Sequence, residues 1–161
     1  MTLRRRPIAR SLLVLGLAAM VCSTVWAQFA TTPAPLPAPE LGVSLAETPK
    51  AYRIDAARHL YASYPMQVLR GKLPPRLYAI AVVETTLDAD GQVQQIEITR
   101  EPAVAKEVMP WLLQMIRRAA PYPAAQKLGS VVYTEVWLVD KSGRFQLDTL
   151  SEGQRSESGG D

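Results

Sequence analysis

Between Tyr78 and Thr99 apolar and polar positions alternate, pause, and alternate again. Ala81, Val83, Thr85 and Leu87 interleave with Val82, Glu84 and Thr86, the period of two that sends neighbouring side chains to opposite faces of a sheet and buries one face. At Asp88-Ala89-Asp90-Gly91 the pattern breaks on residues that tolerate or require positive φ, so the chain reverses there. Ile96 and Ile98 resume the alternation between Gln95, Glu97 and Thr99, with Val93 out of phase. One extra residue restores the register, which predicts a bulge or a wide turn at the start of the second strand. The stretch is a β-hairpin.

Around it the same patterns place the other elements. Ile54 to Ser63 predicts a helix with Ile54, Ala57, Arg58 and Tyr61 on one side, stopped at Tyr64-Pro65 because the residue before proline is pushed out of the α region. Met66 to Arg70 predicts a second, short helix ending at Gly71, and Pro74-Pro75 an extended approach to the first strand. After the hairpin, Val108, Leu112, Met115, Ile116 and Ala119 share one helical face with Trp111 at its margin. Pro110 suits a first helical position, so the helix is placed at about 109–119, where Arg117 and Arg118 complement its C-terminal dipole. Pro121-Tyr122-Pro123 ends it; Val131 to Asp140 reads as a long strand, Lys141-Ser142-Gly143 as a turn and Arg144 to Leu150 as a last strand. The order implies an α+β domain: a small antiparallel sheet, β-β-α-β plus an added C-terminal strand, packed by one main helix.

The ends read differently. In residues 1–27 a cationic start from Arg4 to Arg10 precedes an apolar run from Ser11 and the small-residue site Val25-Trp26-Ala27, the pattern of a secretory signal peptide cleaved after Ala27. An uncleaved anchor is the competing expectation, and with it contact with a membrane, because the apolar run falls only a little short of the roughly 20 residues that span a bilayer. Residues 28–50 are Pro- and Ala-rich and read as an extended tether reaching about 70 Å at ~3.3 Å per residue. Residues 51–150 form the domain, and 151–161, polar and rich in Gly and Ser, a disordered tail.

Charge then loses its first meaning. The formal +3 includes Arg4, Arg5, Arg6 and Arg10; without them 14 basic residues face 15 acidic ones, so residues 28–161 carry −1. Nucleic acid is not an expected partner, since counterion release needs clustered cations. The single cysteine, Cys22, lies in the leader, which leaves the exported chain without thiol or disulfide.

Candidate chemistry is thin. Asp88, Asp90 and Gly91 have part of a calcium-loop spacing, but Ala89 interrupts it and the flanks are strands, so these three are assigned to a hairpin turn. His59, the only histidine, has no nucleophile motif to serve and is expected on the solvent side of its helix. One histidine and no exported cysteine cannot close a tetrahedral zinc site without an unusual set of carboxylates, and no phosphate-binding glycine motif occurs. Trp111 and Trp137 are read as core rather than as an aromatic binding patch. No catalytic residue, metal ligand or cofactor is assigned, and the chain is not expected to be an enzyme.

Tyr64-Pro65, the strand Ala81 to Leu87, the run Asp88-Ala-Asp-Gly-Gln-Val93, the helix end Ile116-Arg-Arg118 and Pro123-Ala124 together resemble the C-terminal domain of TonB-type energy transducers, a fold shared with the C-terminal domain of TolA. The resemblance covers about residues 64–140. It implies a periplasmic module that docks an extended segment of a protein partner, such as an outer-membrane receptor or another periplasmic protein, by strand pairing at a sheet edge. Val131, Tyr133, Glu135, Trp137 and Val139 are then the expected partner-binding residues. The chain departs from the family at Ala119 and Pro121, where Trp and Phe are usual, and in lacking a glycine immediately before the first strand. Arg144 to Leu150 adds a strand beside the docking edge, either as a cover that peels away or as a fixed edge. A structural or assembly protein that self-associates as a homo-oligomer through the same edge, with no transport role, is the alternative. The tether is shorter than the Pro-rich stretches of the family's transducers and the leader has no histidine, so the chain is not expected to transduce energy by itself. Mass spectrometry of the exported protein should find Gln28 at the N-terminus, and a form retaining Met1 would establish the anchor instead.

Overall fold

The computed structural model describes residues 29, 31–35 and 42–153. In chain order these hold β1 (Val43–Ser44), α1 (Pro49–Ser63), β2 (Ala79–Leu87), β3 (Val93–Arg100), α2 (Val108–Arg118), β4 (Ala124–Ala125), β5 (Val131–Val139) and β6 (Phe145–Leu147), followed by a 3-10 turn, Asp148–Leu150. The fold is α+β. An antiparallel four-stranded sheet runs β3-β2-β5-β6, and β1 and β4 form a separate parallel pair. Residues 1–27, expected to be a signal peptide, and 154–161 of the expected tail lie outside the described residues.

Alternation sets the layers. The odd-numbered residues of β2 and β5 are buried and pair across the ladder, Ala81 with Trp137 and Val83 with Glu135. Both helices pack on that face, so the core has two covering helices where the sequence pattern implied one. In the hairpin Thr86 pairs with Gln95 and Leu87 with Val93, which leaves Gln94 as the extra residue expected from the phase of Val93. A second register shift lies between Val82 and Val83.

The hairpin turn is held by a carboxylate. Asp88 Oδ1 accepts the N–H groups of Asp90 at 3.0 Å and Gln92 at 2.8 Å, and Oδ2 accepts from Gln94 Nε2 at 2.7 Å. Gly91 has φ +77 and accepts the Tyr122 N–H on its carbonyl at 2.8 Å. A Cβ at Gly91 would stand 1.9 Å from the Tyr122 carbonyl oxygen. Glycine therefore serves twice, once for the turn and once for close approach of the α2–β4 loop.

α1 begins earlier than its periodicity suggests. Thr48 accepts the Ala51 N–H on its side chain at 3.2 Å and Pro49 occupies the first helical position, a capping signature that starts the helix five residues before Ile54, two of them in the stretch expected to be tether. Its buried face is Tyr52, Ala56, Ala57, His59, Leu60 and Ser63; Ile54 is 39% exposed and Arg58 is exposed, so the expected face is rotated. α2 agrees with expectation to within a residue at each end, and Pro110 sits in its first turn, where its missing N–H costs no helical bond.

Met66 to Arg70 is not a helix. Val68 bridges Phe145 in parallel: the Leu69 N–H donates to the Phe145 carbonyl and the Phe145 N–H to the Gln67 carbonyl, both at 2.8 Å. Unpaired backbone groups at the edge of β6 outweigh local helix preference there. The last strand is three residues long, not seven, and it is clamped: Phe145 and Leu147 are fully buried, Gln146 Nε2 donates to the carbonyls of Leu69 and Gly71 at 2.8 and 2.5 Å, and the Leu147 N–H reaches Tyr61 Oη at 3.0 Å. That geometry belongs to a fixed edge, not to a peeling cover.

Gly91→Ala should lower stability by more than the roughly 1–2 kcal/mol of a left-handed non-glycine residue, because the new methyl also drives Tyr122 away. Chemical denaturation checks this, with Gly71→Ala as the control, since Gly71 has φ +77 but open space at its Cβ. Equal losses at the two sites would show that the turn conformation alone matters.

Candidate functional site

β5 is paired on one side along its whole length with β2, from Leu87–Val131 to Ala79–Val139. On the other side β6 pairs only with Trp137, Leu138 and Val139. The outer edge from Val131 to Val136 therefore has no neighbouring strand among the described residues. In an antiparallel ladder successive residues turn their backbone groups to opposite sides. Here the even-numbered residues face outward: Arg53 Nη1 donates to the Thr134 carbonyl at 3.5 Å, and the Val136 N–H donates to Glu135 Oε1 at 3.0 Å. Pro49, Lys50 and Arg53 of α1 form one wall of a groove whose floor is Val132, Tyr133 and Thr134. Val132 is 44% exposed.

Glu135 closes the covered end. Its side chain lies on the buried face, 2% exposed, and Oε1 takes the N–H of Thr149 at 3.4 Å as well as that of Val136. One carboxylate oxygen thus bridges the edge of β5 and the 3-10 turn, where a longer β6 would have supplied main-chain partners. Three buried atoms around it, Glu135 Oε2, Arg53 Nε and Thr149 Oγ1, have no hydrogen-bond partner. Burial pushes the Glu135 carboxyl above its ordinary value, against the opposing pull of Thr149, the Val136 N–H and the Arg53 charge.

The expected partner-binding residues are brought together, but not as a surface. Val131, Tyr133, Glu135, Trp137 and Val139 all point into the core, because the odd positions of β5 face the helices. What the strand offers outward is the backbone of Val132, Thr134 and Val136, on the opposite parity. Asp88 and Gly91 build the hairpin turn as described, and Asp90 contributes its N–H to it. Trp111 and Trp137 are both buried.

His59 is not on the solvent side. It is 7% exposed, packs 4.9 Å from the Tyr122 ring, and its Nε2 meets the Ala119 carbonyl at 2.7 Å. Burial lowers its pKa from the ordinary 6.5 despite that carbonyl. His59 shares an open cavity with Ser44 and Asp55, yet the Ser44 hydroxyl donates to Asp55 Oδ2 at 2.7 Å and Nε2 is engaged by Ala119, so the three do not form a proton relay to the serine. Among the described residues no cluster of His, Cys, Asp or Glu has the makings of a metal site, and no helix is long and apolar enough to cross a membrane.

The chain was compared with protein-family models, curated proteins and solved structures, and it matches none of them.

Two of the buried titratable groups, His59 and Glu135, act in opposite directions on stability. His59, with its folded pKa lowered, contributes fully above about 6.5 and loses that contribution as pH falls through the folded value; Glu135, with its folded pKa raised, contributes fully below about 4.5 and loses it as pH rises through the folded value. Melting temperature against pH should therefore rise less from pH 4 to 7 in His59→Gln than in the native chain. In Glu135→Gln it should rise more over the same interval. Parallel profiles for all three proteins would mean that neither group is held in its uncharged form.

Proposed function

We propose that this is an exported, periplasmic binding module of the TonB/TolA C-terminal type, which takes an extended segment of a protein partner, such as an outer-membrane receptor, as an added strand on β5. The observation that carries this is the uneven coverage of β5, nine residues paired on one side and three on the other. An open stretch of edge presents outward N–H and C=O groups that template another strand, and alternate side-chain positions beside it supply selectivity. The order hairpin, helix, long strand supports the family resemblance, and the cationic, apolar and small-residue succession in residues 1–27 supports export. On this reading the module acts by binding.

The family's docking edge is shortened rather than lost. β6 and the Glu135 carboxylate, which takes the Val136 N–H, fill the part of it near Trp137, which leaves Val131 to Thr134 for an added strand that displaces Arg53 from the Thr134 carbonyl. Extended peptides selected from a random library against the protein should shift the backbone amides of Val132, Thr134 and Val136. Val132→Pro removes one outward N–H without touching the β2 ladder, and affinity for those peptides should fall at least about tenfold while the fold is kept. Peptides that bind Val132→Pro as tightly as the native chain would overturn strand addition. Concentration-dependent shifts at the same amides without peptide would favour self-association instead.

A further inference from the structure

The N-terminal segment is docked. Phe29 is 7% exposed, with its ring stacked on Tyr78 at 5.7 Å and 5° and set edge-on to Trp111 at 5.3 Å and 82°. Arg118 Nη1 donates to the Thr32 carbonyl at 3.1 Å. Trp111 and Arg118 lie on α2 about 10 Å apart at ~1.5 Å per residue, so Phe29 and the Thr32 carbonyl meet the helix at two points two turns apart, with Phe29 in a turn and Thr31 at a bend. The segment's described residues belong to no strand of either sheet, and they are held by one aromatic side chain and by a bond to a main-chain carbonyl.

Those are the contacts of a ligand, not of a structural element. An aromatic anchor in a slot between two other aromatics supplies most of the contact area, and a guanidinium on a backbone carbonyl fixes direction without reading the side chain. The slot's walls are built independently of Phe29: Tyr78 precedes β2 and bonds through its hydroxyl to Glu107, and Trp111 packs edge-on against Phe145 at 6.5 Å and 74°. We propose that the furrow from Tyr78 and Trp111 to Arg118 is a second peptide-binding site, whose resident ligand is the chain's own segment 29–35. Its ligand class is a polypeptide with an aromatic residue three positions ahead of a free main-chain carbonyl.

The tie is short. From Pro35 to Gly42 the chain reaches at most about 23 Å at ~3.3 Å per residue, and a tether of that length holds its end at an effective concentration in the millimolar range. The segment therefore occupies the site in cis, and a competing segment must arrive with a similar local concentration or a second contact. The site is separate from the β5 edge and stands or falls independently of it.

The test uses the full chain and the synthetic peptide Gln-Phe-Ala-Thr-Thr-Pro-Ala-Pro, the sequence of residues 28–35, followed through the Trp111 indole N–H by NMR. Phe29→Ala should move that resonance, and millimolar peptide should return it to its native position, whereas a peptide with alanine in place of phenylalanine should not. The native chain should show no response at the same concentration. Adding Arg118→Ala, an exposed position, to Phe29→Ala should weaken peptide binding about threefold without altering the melting temperature. The proposal is overturned if Phe29→Ala unfolds the domain, which would make Phe29 a core residue, or if the peptide shifts native chain and variant alike. Shifts confined to Val132 to Val136 would also overturn it and place the peptide on the β5 edge.

Discussion

The last carbonyls of α2 emerge inside the protein, where water is not at hand to satisfy them, and the rest of the domain is arranged around donors for them. Tyr64 donates its hydroxyl to Met115 at 2.9 Å, Tyr122 to Ile116 at 3.1 Å, and His59 its Nε2–H to Ala119 at 2.7 Å. A buried helix end without such partners costs about 1–3 kcal/mol for each orphaned group. Two of the donors come from α1 or its C-cap and one from the loop after α2, so satisfying the helix end also fixes the distance between the helices. Tyr122 carries the constraint further, because its own N–H is spent on Gly91 and its ring lies against Tyr133. Helix end, hairpin tip and central strand are in this way held by a single residue. Burial raises the Tyr64 hydroxyl to about 12 and pushes that of Tyr122 well above its ordinary value, so both remain donors at neutral pH.

What was legible in the sequence is what is local and strongly periodic. The hairpin, its bulge at Gln94 and α2 follow from spacings within about twenty residues. α1 was misplaced because its buried face has a single leucine, Leu60, and is otherwise marked by residues such as Tyr52, Ala56 and His59, and because Thr48-Pro49, a clear start signal, sits in proline-rich company. The helix expected at Met66 to Arg70 is overruled by a partner far along the chain: Val68 bridges Phe145, a pairing that no local window contains. Phe29 was hidden for a related reason. A Pro- and Ala-rich composition states that a segment cannot build a core, but not that one aromatic in it cannot enter a core built by others.

The candidate site was half legible. The strand follows from the pattern of Val131 to Asp140, whereas the extent of its free edge, set by where β6 stops, and the side that faces out do not, since edge chemistry is carried by backbone groups of the other parity. Glu135 lay within the expected set for the wrong reason. It stands on the core face, where a carboxylate is costly, and its position makes sense only once β6 is seen to stop after three residues and leave the Val136 N–H and the Thr149 N–H without strand partners. A side-chain carboxyl has been put where a main-chain carbonyl would ordinarily go.

β6 has a consequence in time. It is the last strand among the described residues, yet Tyr61 of α1 reaches Leu147, 86 residues later, and the carbonyls of Leu69 and Gly71 bind Gln146, 77 and 75 residues later. Contacts of such separation form late, since the loop must close before any of them is gained. A nascent chain, growing at roughly 5–20 residues per second, has no partner for Tyr61 or for the segment around Val68 until Phe145 to Leu147 has been made. For several seconds after α1 is synthesised the domain is open by construction, which keeps the polypeptide threadable until its final strand arrives.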